Sequence, residues 1–280
     1  MIIALAFTAM VPATNAQDLA NIVIKAERVS GNVYMLTGAG GNIGLSIGED
    51  GSFLIDDQFA PLTERILASV AELTPQPVRF VVNTHWHGDH TGGNEHLDEA
   101  GAIIVAHDNV RTRMRTGSPE AALPVVTFAE SMTFYWNADE VRVVHVGPAH
   151  TDGDSIVYFR EANVIHMGDT FFNGMYPYID VSTEGTITGM IQAADTVLGL
   201  ANDKTKIIPG HGPLGGVKEL RASRAMLQEV HGRFQKLIRD GASKEEVIAA
   251  KPTRDLDAEW GRGFMKPDRW VGIIYDSMVR

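Results

Sequence analysis

The sequence has 280 residues, 44% of them hydrophobic, so the chain is long enough to bury a sizeable core. Its formal net charge of -11, without any block rich in lysine or arginine, argues against a nucleic-acid partner held through phosphate contacts. It contains no cysteine, which excludes disulfides, thiolate catalysis and cysteine-ligated zinc, so any metal must bind to histidine and carboxylate side chains.

The first residues form an apolar stretch followed by small residues, and Thr14-Asn15-Ala16 fits a cleavage site. We therefore predict a signal peptide over residues 1–16 and a periplasmic or secreted protein. No basic residue precedes Lys25, so a disordered leader is the alternative. The stretch is too short to span a bilayer, so no membrane partner is expected. A monomer is favoured.

Strand-like runs recur after this leader and are separated by glycine-rich or Asp-Gly turns, as hairpins require. The predicted strands lie at residues 32–38, 43–57, 78–85, 102–107, 140–147, 154–159, 163–169 and 206–212.

Amphipathic stretches of helical period lie between some of these runs, at residues 61–73, 189–201 and 219–240. In the tail, Ser243 to Glu246 form a helix-start signal, and we expect short helices packed on the same core. No low-complexity linker interrupts residues 17–280. The pattern predicts one layered α/β (α+β) domain over residues 17–280, with a strand-rich core covered by helices.

The most informative segment, THWHGDH, follows an apolar run. His85 and His87 are two residues apart, which places both on one face of an extended strand, and a turn after them can bring Asp89 and His90 back toward them. Taken alone, the segment is either half of a metal site or a solvated turn rich in histidine.

Three later segments decide between these alternatives. His150, Asp169 and His211 each follow an apolar run and lie beside glycine, and strand ends are where a rigid scaffold usually carries binding residues. Together with the first segment they make five histidines and two aspartates, enough to bind two metal ions with positions left for water.

With these residues in this order, the chain resembles the metallo-β-lactamase superfamily, whose pattern is a His-x-His-x-Asp-His loop followed by a histidine, an aspartate or cysteine, and a final histidine. The resemblance implies an αββα sandwich with two metals at one edge of the sheets. It implies that His85, His87 and His150 hold the first metal, that Asp89, His90 and His211 hold the second, and that Asp169 bridges them.

Two such ions lower the pKa of a shared water toward roughly 7, and the resulting hydroxide can attack a carbonyl or phosphorus centre. Asp89 is the candidate catalytic residue, because it can orient this nucleophile or carry its proton. Zinc is the first expectation. Asp169 stands where many zinc β-lactamases have cysteine, and this oxygen-rich set tolerates iron or manganese at the Asp89, His90 and His211 site.

Other segments supply lower-ranking candidates. The resemblance implies that Asp56 or Asp57, at a strand end, supports the metal loop from outside the ligand set, with a strand-terminating turn as the alternative. His107 is more readily explained as a packed histidine, and a supporting contact to a ligand is the alternative. The loop at residues 37–44 is either a flap over the cleft or a plain hairpin.

Candidates for substrate contact follow Asp169. Asn173, Tyr176 and Tyr178 are expected in the pocket wall, with core packing as the alternative. No lysine or arginine lies between Asp169 and Ile191, although many β-lactamases of this fold have a cation there. The three arginines at 111, 113 and 115 form a solvated face or an anion-steering patch.

The function expected is an exported dinuclear hydrolase of a small amide or ester, acting on a small-molecule substrate, with β-lactams as the best single guess. The alternatives are a phosphodiesterase, a thioester or lactone hydrolase on the same site, and a non-catalytic metal-binding relay component.

Overall fold

A computed structural model describes Leu19 and residues 21–279. The predicted signal peptide lies outside the described residues, and both export and the assignment of residues 17–280 to one domain remain predictions. No helix in the described part of the chain combines the length and apolar character needed to cross a membrane.

Seven strands form the first sheet, in the order β1-β2-β3-β4-β5-β6-β7. The strands from β1 to β4 pair antiparallel, whereas β4, β5, β6 and β7 are parallel. The strands are β1 (Lys25–Ser30), β2 (Val33–Thr37), β3 (Ile43–Ser46), β4 (Ser52–Ile55), β5 (Val78–Asn83), β6 (Ile103–His107) and β7 (Val126–Phe128).

The second sheet has six strands in the order β13-β12-β11-β10-β9-β8. Its pairs are antiparallel except for β11 and β12, which are parallel. The strands are β8 (Ser131–Trp136), β9 (Asp139–His145), β10 (Ser155–Phe159), β11 (Val164–His166), β12 (Lys206–Ile208) and β13 (Gly215–Gly216).

Helices cover the outer faces of the two sheets, and the last helices follow the final strand of the second sheet. They are α1 (Thr63–Leu73), α2 (Gly88–Thr91), α3 (Asn94–Glu99), α4 (Asp108–Met114), α5 (Ile187–Leu200), α6 (Val217–Arg239), α7 (Lys244–Ala250), α8 (Asp257–Trp260) and α9 (Pro267–Met278). The predicted helix start at Ser243 is confirmed as a capping box, in which the backbone N–H of Ser243 donates to Glu246 at 2.8 Å.

Alternation along the strands separates the layers of the sandwich. In β4, Phe53 and Ile55 face the core between the two sheets, whereas Leu54 packs with α1 on the outer face of the first sheet. In β10, Val157 faces the same central core and Ile156 packs on the opposite side, against α5 and α6. The predicted αββα architecture is therefore confirmed.

The C-terminal helices form a separate apolar cluster on this sandwich. Tyr176, from the segment after Asp169, stacks on Trp270 of α9 with ring centroids 3.9 Å apart, and its hydroxyl donates to Asp257 at 2.9 Å. The backbone N–H of Tyr176 also donates to the Trp260 carbonyl. The segment between Asp169 and α5 is thus fixed to the C-terminal helices.

Phe53 is the centre of the aromatic packing between the sheets, since its ring lies 5.0 Å from Phe134 and 6.3 Å from Phe159. We predict that Phe53→Ala lowers the free energy of unfolding by about 3–5 kcal/mol, through lost burial and the cavity left behind. Urea denaturation measures this. Tyr135→Ala, at an aromatic that is 80% exposed, should cost less than about 1 kcal/mol, and equal losses in both variants would contradict the predicted packing.

Candidate metal centre

The seven candidate ligands come together because parallel strands end at one edge. β4 and β5 are parallel, so Asp56 and the segment that begins at His85 leave the first sheet at the same edge. β11 and β12 are also parallel, and Asp169 and His211 follow their ends in the second sheet. His150 reaches the same place from the connection between β9 and β10.

The donor atoms form two groups with the geometry of metal sites. One ligand atom from each member of a group lies within 4.8 Å of the others. The first group contains His85, His87, His150 and Asp169, and the second contains Asp89, His90 and His211.

Asp169 belongs to the first group and also faces the second, because its two oxygens lie near different histidines. Its Oδ2 is 3.5 Å from His150 Nε2 and 3.8 Å from His85 Nε2. Its Oδ1 is 3.2 Å from His90 Nε2 and 3.4 Å from His211 Nε2. The geometry suits the bridging role that the resemblance implies.

In four of the histidines, a hydrogen bond to one ring nitrogen fixes which nitrogen faces the centre. A histidine that ligates a metal through one nitrogen usually hydrogen-bonds through the other. The outer partners are Thr84 Oγ1 for His85 Nδ1, Asp180 Oδ2 for His87 Nε2, Asp56 Oδ2 for His90 Nδ1 and the Tyr178 carbonyl for His150 Nδ1. The remaining nitrogens are therefore directed toward one another.

Asp56 is the most constrained of these outer partners. It is fully buried, has a φ of 62°, and accepts from the Thr84 N–H at 2.7 Å, the Thr84 hydroxyl at 2.8 Å and His90 Nδ1 at 2.7 Å. Asp57 instead accepts from the Gly93 N–H at 2.8 Å. Of the two strand-end aspartates, Asp56 supports a ligand side chain directly and Asp57 supports the backbone of the metal loop.

Two glycines allow the backbone to approach the ligands closely. A Cβ on Gly41 would overlap the His90 ring, and one on Gly210 would overlap Asp169 Oδ1. The Gly41 N–H donates to the Asp89 carbonyl at 3.0 Å, and the neighbouring Asn42 side chain donates to the Pro209 carbonyl at 2.9 Å. The sequence predicted either a flap over the cleft or a plain hairpin for the loop at residues 37–44. In the structure, this loop packs against the loops that carry the ligands.

Burial favours neutral imidazoles at His85 and His150 of the first group. Desolvation, together with the nearby His90, lowers the pKa of His85 well below its ordinary value. Burial lowers the pKa of His150 to about 4, even though Asp169 opposes this shift. A neutral imidazole keeps the lone pair that a metal needs.

Opposite charges dominate the second group. Burial opposes charge on Asp89, but His90 and His211 lower its pKa to about 2. Burial likewise opposes charge on His211, but Asp169 and Asp89 raise its pKa to about 9. Asp89 is thus held ionised next to the histidines, the form in which a carboxylate ligates cations.

Three of the atoms that could ligate a metal are buried and form no hydrogen bond within the described residues. They are His85 Nε2, His90 Nε2 and Asp169 Oδ1. Buried polar atoms without a partner cost free energy, so native proteins rarely keep them unless something else binds there. Nitrogen and carboxylate oxygen donors of this kind fit divalent metal ions.

The three residues predicted for the pocket wall have different places. The ring of Tyr178 lies beside the centre, with its centroid 5.6 Å from that of His150. The prediction was wrong for Tyr176, which is fully buried among the C-terminal helices because Trp270 offers it a stacking partner. Asn173 is mostly buried and donates to the Pro213 carbonyl at 2.9 Å, so it holds the loop after His211.

His107 supports no ligand through a hydrogen bond in the described structure. Its Nε2 donates to the Ala129 carbonyl at 2.8 Å, its Nδ1 accepts from the Asn109 N–H at the start of α4, and its ring stacks on His145. The supporting role that we considered for it is therefore wrong, because both ring nitrogens are already used in packing the end of β6.

The arginine run lies on and just after α4, and its first two members are paired. Arg111 donates to the Pro124 carbonyl at 2.6 Å and also contacts Glu120. Arg113 forms an ion pair with Asp152 at 2.7 Å. These contacts match a solvated face better than a patch that steers anions.

Sequence reasoning missed several residues near the ligands. Asp180 was not singled out, although it lies on the segment that follows Asp169. Phe172 stacks on His211 with centroids 5.2 Å apart, and Phe264 lies 5.8 Å from the same ring. No motif marks Phe264, which enters the site from the C-terminal segment.

Comparison with known proteins identifies the superfamily that the order of the candidate ligands indicated. The family model described as the metallo-beta-lactamase superfamily matches residues 29–212. The fold is similar to the solved structure of a metallo-beta-lactamase from Pontibacter korlensis, with a TM-score of 0.65 and 22% identity over 73% of this chain and 99% of that one.

Curated relatives differ in the activity that their names describe. One is the 2,4-dinitroanisole O-demethylase subunit alpha of Nocardioides sp. (strain JS1661), 26% identical over 66% of this chain and 56% of that protein. The hydroxyacylglutathione hydrolase of Pelagibacter ubique is 28% identical over 48% and 52% of the two chains. Metallo-beta-lactamase type 2 of Bacteroides fragilis is 21% identical over 60% and 66%. The chain thus spans half to two thirds of the length of these relatives.

The hydrogen bond between Asp56 and His90 leads to a prediction about metal affinity. Asp56→Asn should weaken metal binding by about 10- to 100-fold, because the amide cannot accept all three of the present hydrogen bonds and hold the His90 ring in place. Titration with zinc against a competing chelator measures the affinity. The control is Asp203→Asn, at an exposed position outside both groups of ligands, which should change the affinity by less than about 3-fold. Similar losses in the two variants would contradict the assignment.

Proposed function

Because the chain belongs to the metallo-β-lactamase superfamily, we propose that it is a divalent-metal-dependent hydrolase that cleaves a small amide or ester, with β-lactams as the best single substrate class. One observation carries this proposal. His85 Nε2, His90 Nε2 and Asp169 Oδ1 are buried without hydrogen-bond partners among the described residues, at a point where seven histidine and aspartate side chains meet.

The two groups of candidate ligands indicate which residues would hold each metal ion. His85, His87 and His150 would bind one ion, with Asp169 as the shared ligand, and the second group, Asp89, His90 and His211, would bind the other. When bound, divalent ions would supply Lewis acidity toward a carbonyl group and would lower the pKa of water toward roughly 7. We propose zinc at both positions, with iron or manganese as the alternative in the second group.

Asp89 is the residue that we propose to act on the nucleophile. Its side chain is 28% exposed, whereas that of Asp169 is 5% exposed, so it is the more accessible of the two carboxylates to water and substrate. Its Oδ2 lies 3.3 Å from His211 Nε2. Because its pKa is lowered to about 2, it is ionised at neutral pH and can accept a hydrogen bond from water.

Aromatic side chains form part of the walls of the centre. Phe172 is buried against His211 and Tyr178 lies beside His87 and His150, so apolar rings flank both groups of ligands. A partly apolar site strengthens the electrostatic interactions inside it. Such a site suits a small amide or ester with apolar substituents better than a large charged polymer.

The substrate class is supported less directly than the chemistry. The relative from Bacteroides fragilis is named as a β-lactamase, which supports a lactam, and the relative from Pelagibacter ubique is named as a hydroxyacylglutathione hydrolase, which supports a thioester. We put β-lactams first and thioesters second. Phosphodiester hydrolysis and a non-catalytic metal-binding role are the further outcomes that the assays below distinguish.

The first test is hydrolysis of a chromogenic cephalosporin by the purified protein after zinc or iron is restored. We expect turnover by the wild type and a fall in kcat/KM of about 100-fold or more in Asp89→Ala, because the carboxylate that positions water is lost. Asp203→Ala, on the exposed loop before β12, is the matched control and should behave as wild type.

Parallel assays with a thioester, a lactone and bis-p-nitrophenyl phosphate identify the substrate class if the cephalosporin is not cleaved. Turnover of none of these substrates by the metal-loaded protein would overturn the hydrolase proposal. Full activity and full metal content in Asp89→Ala would instead show that the role of Asp89 is wrong.

The two donor groups also predict the metal content. Elemental analysis of zinc-loaded wild type should give about two ions per chain, and His211→Ala should give about one, because only the second group loses a ligand. His231→Ala, on α6 and outside both groups, should keep the wild-type content. A content of about one ion in the wild type would contradict the dinuclear assignment.

A further inference from the structure

The C-terminal segment reaches the metal centre through one exposed aromatic side chain. Phe264 lies between α8 and α9, and its ring centroid is 5.8 Å from that of His211 and 6.0 Å from that of Phe172. Its side chain is 54% exposed. It lies well beyond residue 212, where the match to the family model ends.

The residues on either side hold Phe264 in this exposed position. Met265, the next residue, is 1% exposed in the apolar cluster of the C-terminal helices. On the other side, a Cβ on Gly263 would lie 2.9 Å from Met175 Cβ, so the backbone packs closely against the segment that follows Asp169. Lys266 also donates to the Gly263 carbonyl at 3.0 Å. These contacts anchor the turn while the Phe264 ring remains outside the core.

Location separates Phe264 from the other exposed hydrophobic side chains of the described residues. Single exposed apolar residues are common on protein surfaces and need no special explanation. Tyr135, for example, is 80% exposed on β8 and has no ring contact with a candidate ligand in the described structure. Phe264 instead extends the apolar wall that Phe172 begins beside His211, with an interplanar angle of 59° to the His211 ring.

We propose that Phe264 contacts the substrate and selects molecules that carry an apolar, preferably aromatic, substituent on the His211 side of the cleft. This inference rests on the proposed hydrolase function and adds a substrate class to it. An aromatic group placed there would cover the exposed face of Phe264 and gain the edge or offset stacking that aromatic pairs prefer. The reacting amide or ester would then lie toward Asp169 and Asp89.

Direct binding tests the proposal without requiring turnover. The probes are 4-fluorophenylacetate and fluoroacetate, carboxylates of the kind that ester or amide hydrolysis releases, followed by fluorine NMR on zinc-loaded protein. The wild type should bind the aromatic probe about 3- to 10-fold more tightly than the small one, which is the range that one aromatic contact provides. Phe264→Ala should lose this preference without a change in its affinity for fluoroacetate.

Two control variants separate a specific contact from a general effect. Phe264→Tyr keeps an aromatic ring and should keep the preference. Tyr135→Ala removes an exposed aromatic elsewhere and should match the wild type. All variants should have the wild-type zinc content and melting temperature, since the Phe264 side chain is half exposed. A wild-type preference retained in Phe264→Ala, or no preference in the wild type, overturns the proposal.

Hydrolysis of methyl phenylacetate and methyl acetate provides the second readout. Phe264→Ala should raise KM for the aromatic ester by about 3- to 10-fold and leave kcat close to wild type, since the contact is remote from the reacting atoms. If the wild type cleaves neither ester, hydrolysis of these simple esters is refuted, while the binding measurement still decides the role of Phe264.

Discussion

The carboxylate of Asp169 is the interaction on which the rest of this site depends. Its two oxygens face separate groups of histidines, with contacts of 3.2 to 3.8 Å. Burial alone would raise the pKa of Asp169, but His211 and His90 lower it well below its ordinary value. A single buried anion thus holds the two halves of the centre together, and each sheet of the sandwich contributes strands that end beside it.

A second layer of contacts makes this crowded arrangement specific. Five imidazoles at one edge can rotate and exchange tautomers unless something fixes them, and outer partners such as Asp56 and Asp180 use the ring nitrogens that point away from the centre. Gly41 and Gly210 then bring the backbone against His90 and Asp169, where any side chain would collide with a ligand. The centre is therefore set in position by contacts from both sheets.

The C-terminal helices do more than cover the sandwich. Through the stack of Tyr176 on Trp270 and the backbone bond to Trp260, they fix the segment that follows Asp169, which includes both Tyr178 and Asp180. The same region presents Phe264 beside His211. In this chain, one part of the structure supplies the ligands and another shapes the space in front of them.

The sequence by itself determined the layered fold and the seven candidate ligands. Apolar runs separated by glycine-rich turns identified most of the buried strands. Ligand-type residues next to glycine at strand ends form a local pattern that can be recognised without knowledge of distant contacts. The prediction missed β1, β7, β8 and β13, because these strands are short or mostly exposed and do not form a buried apolar run.

Only the tertiary structure decided which neighbours of the ligands face the site. Tyr176 and Tyr178 lie in an irregular segment, where no periodicity tells a reader which side chain points inward. Packing against Trp270 buries the first and leaves the second beside His150. Phe264 follows Asp169 by 95 positions, and it reaches His211 because helices far along the chain fold back onto the edge of the sheets.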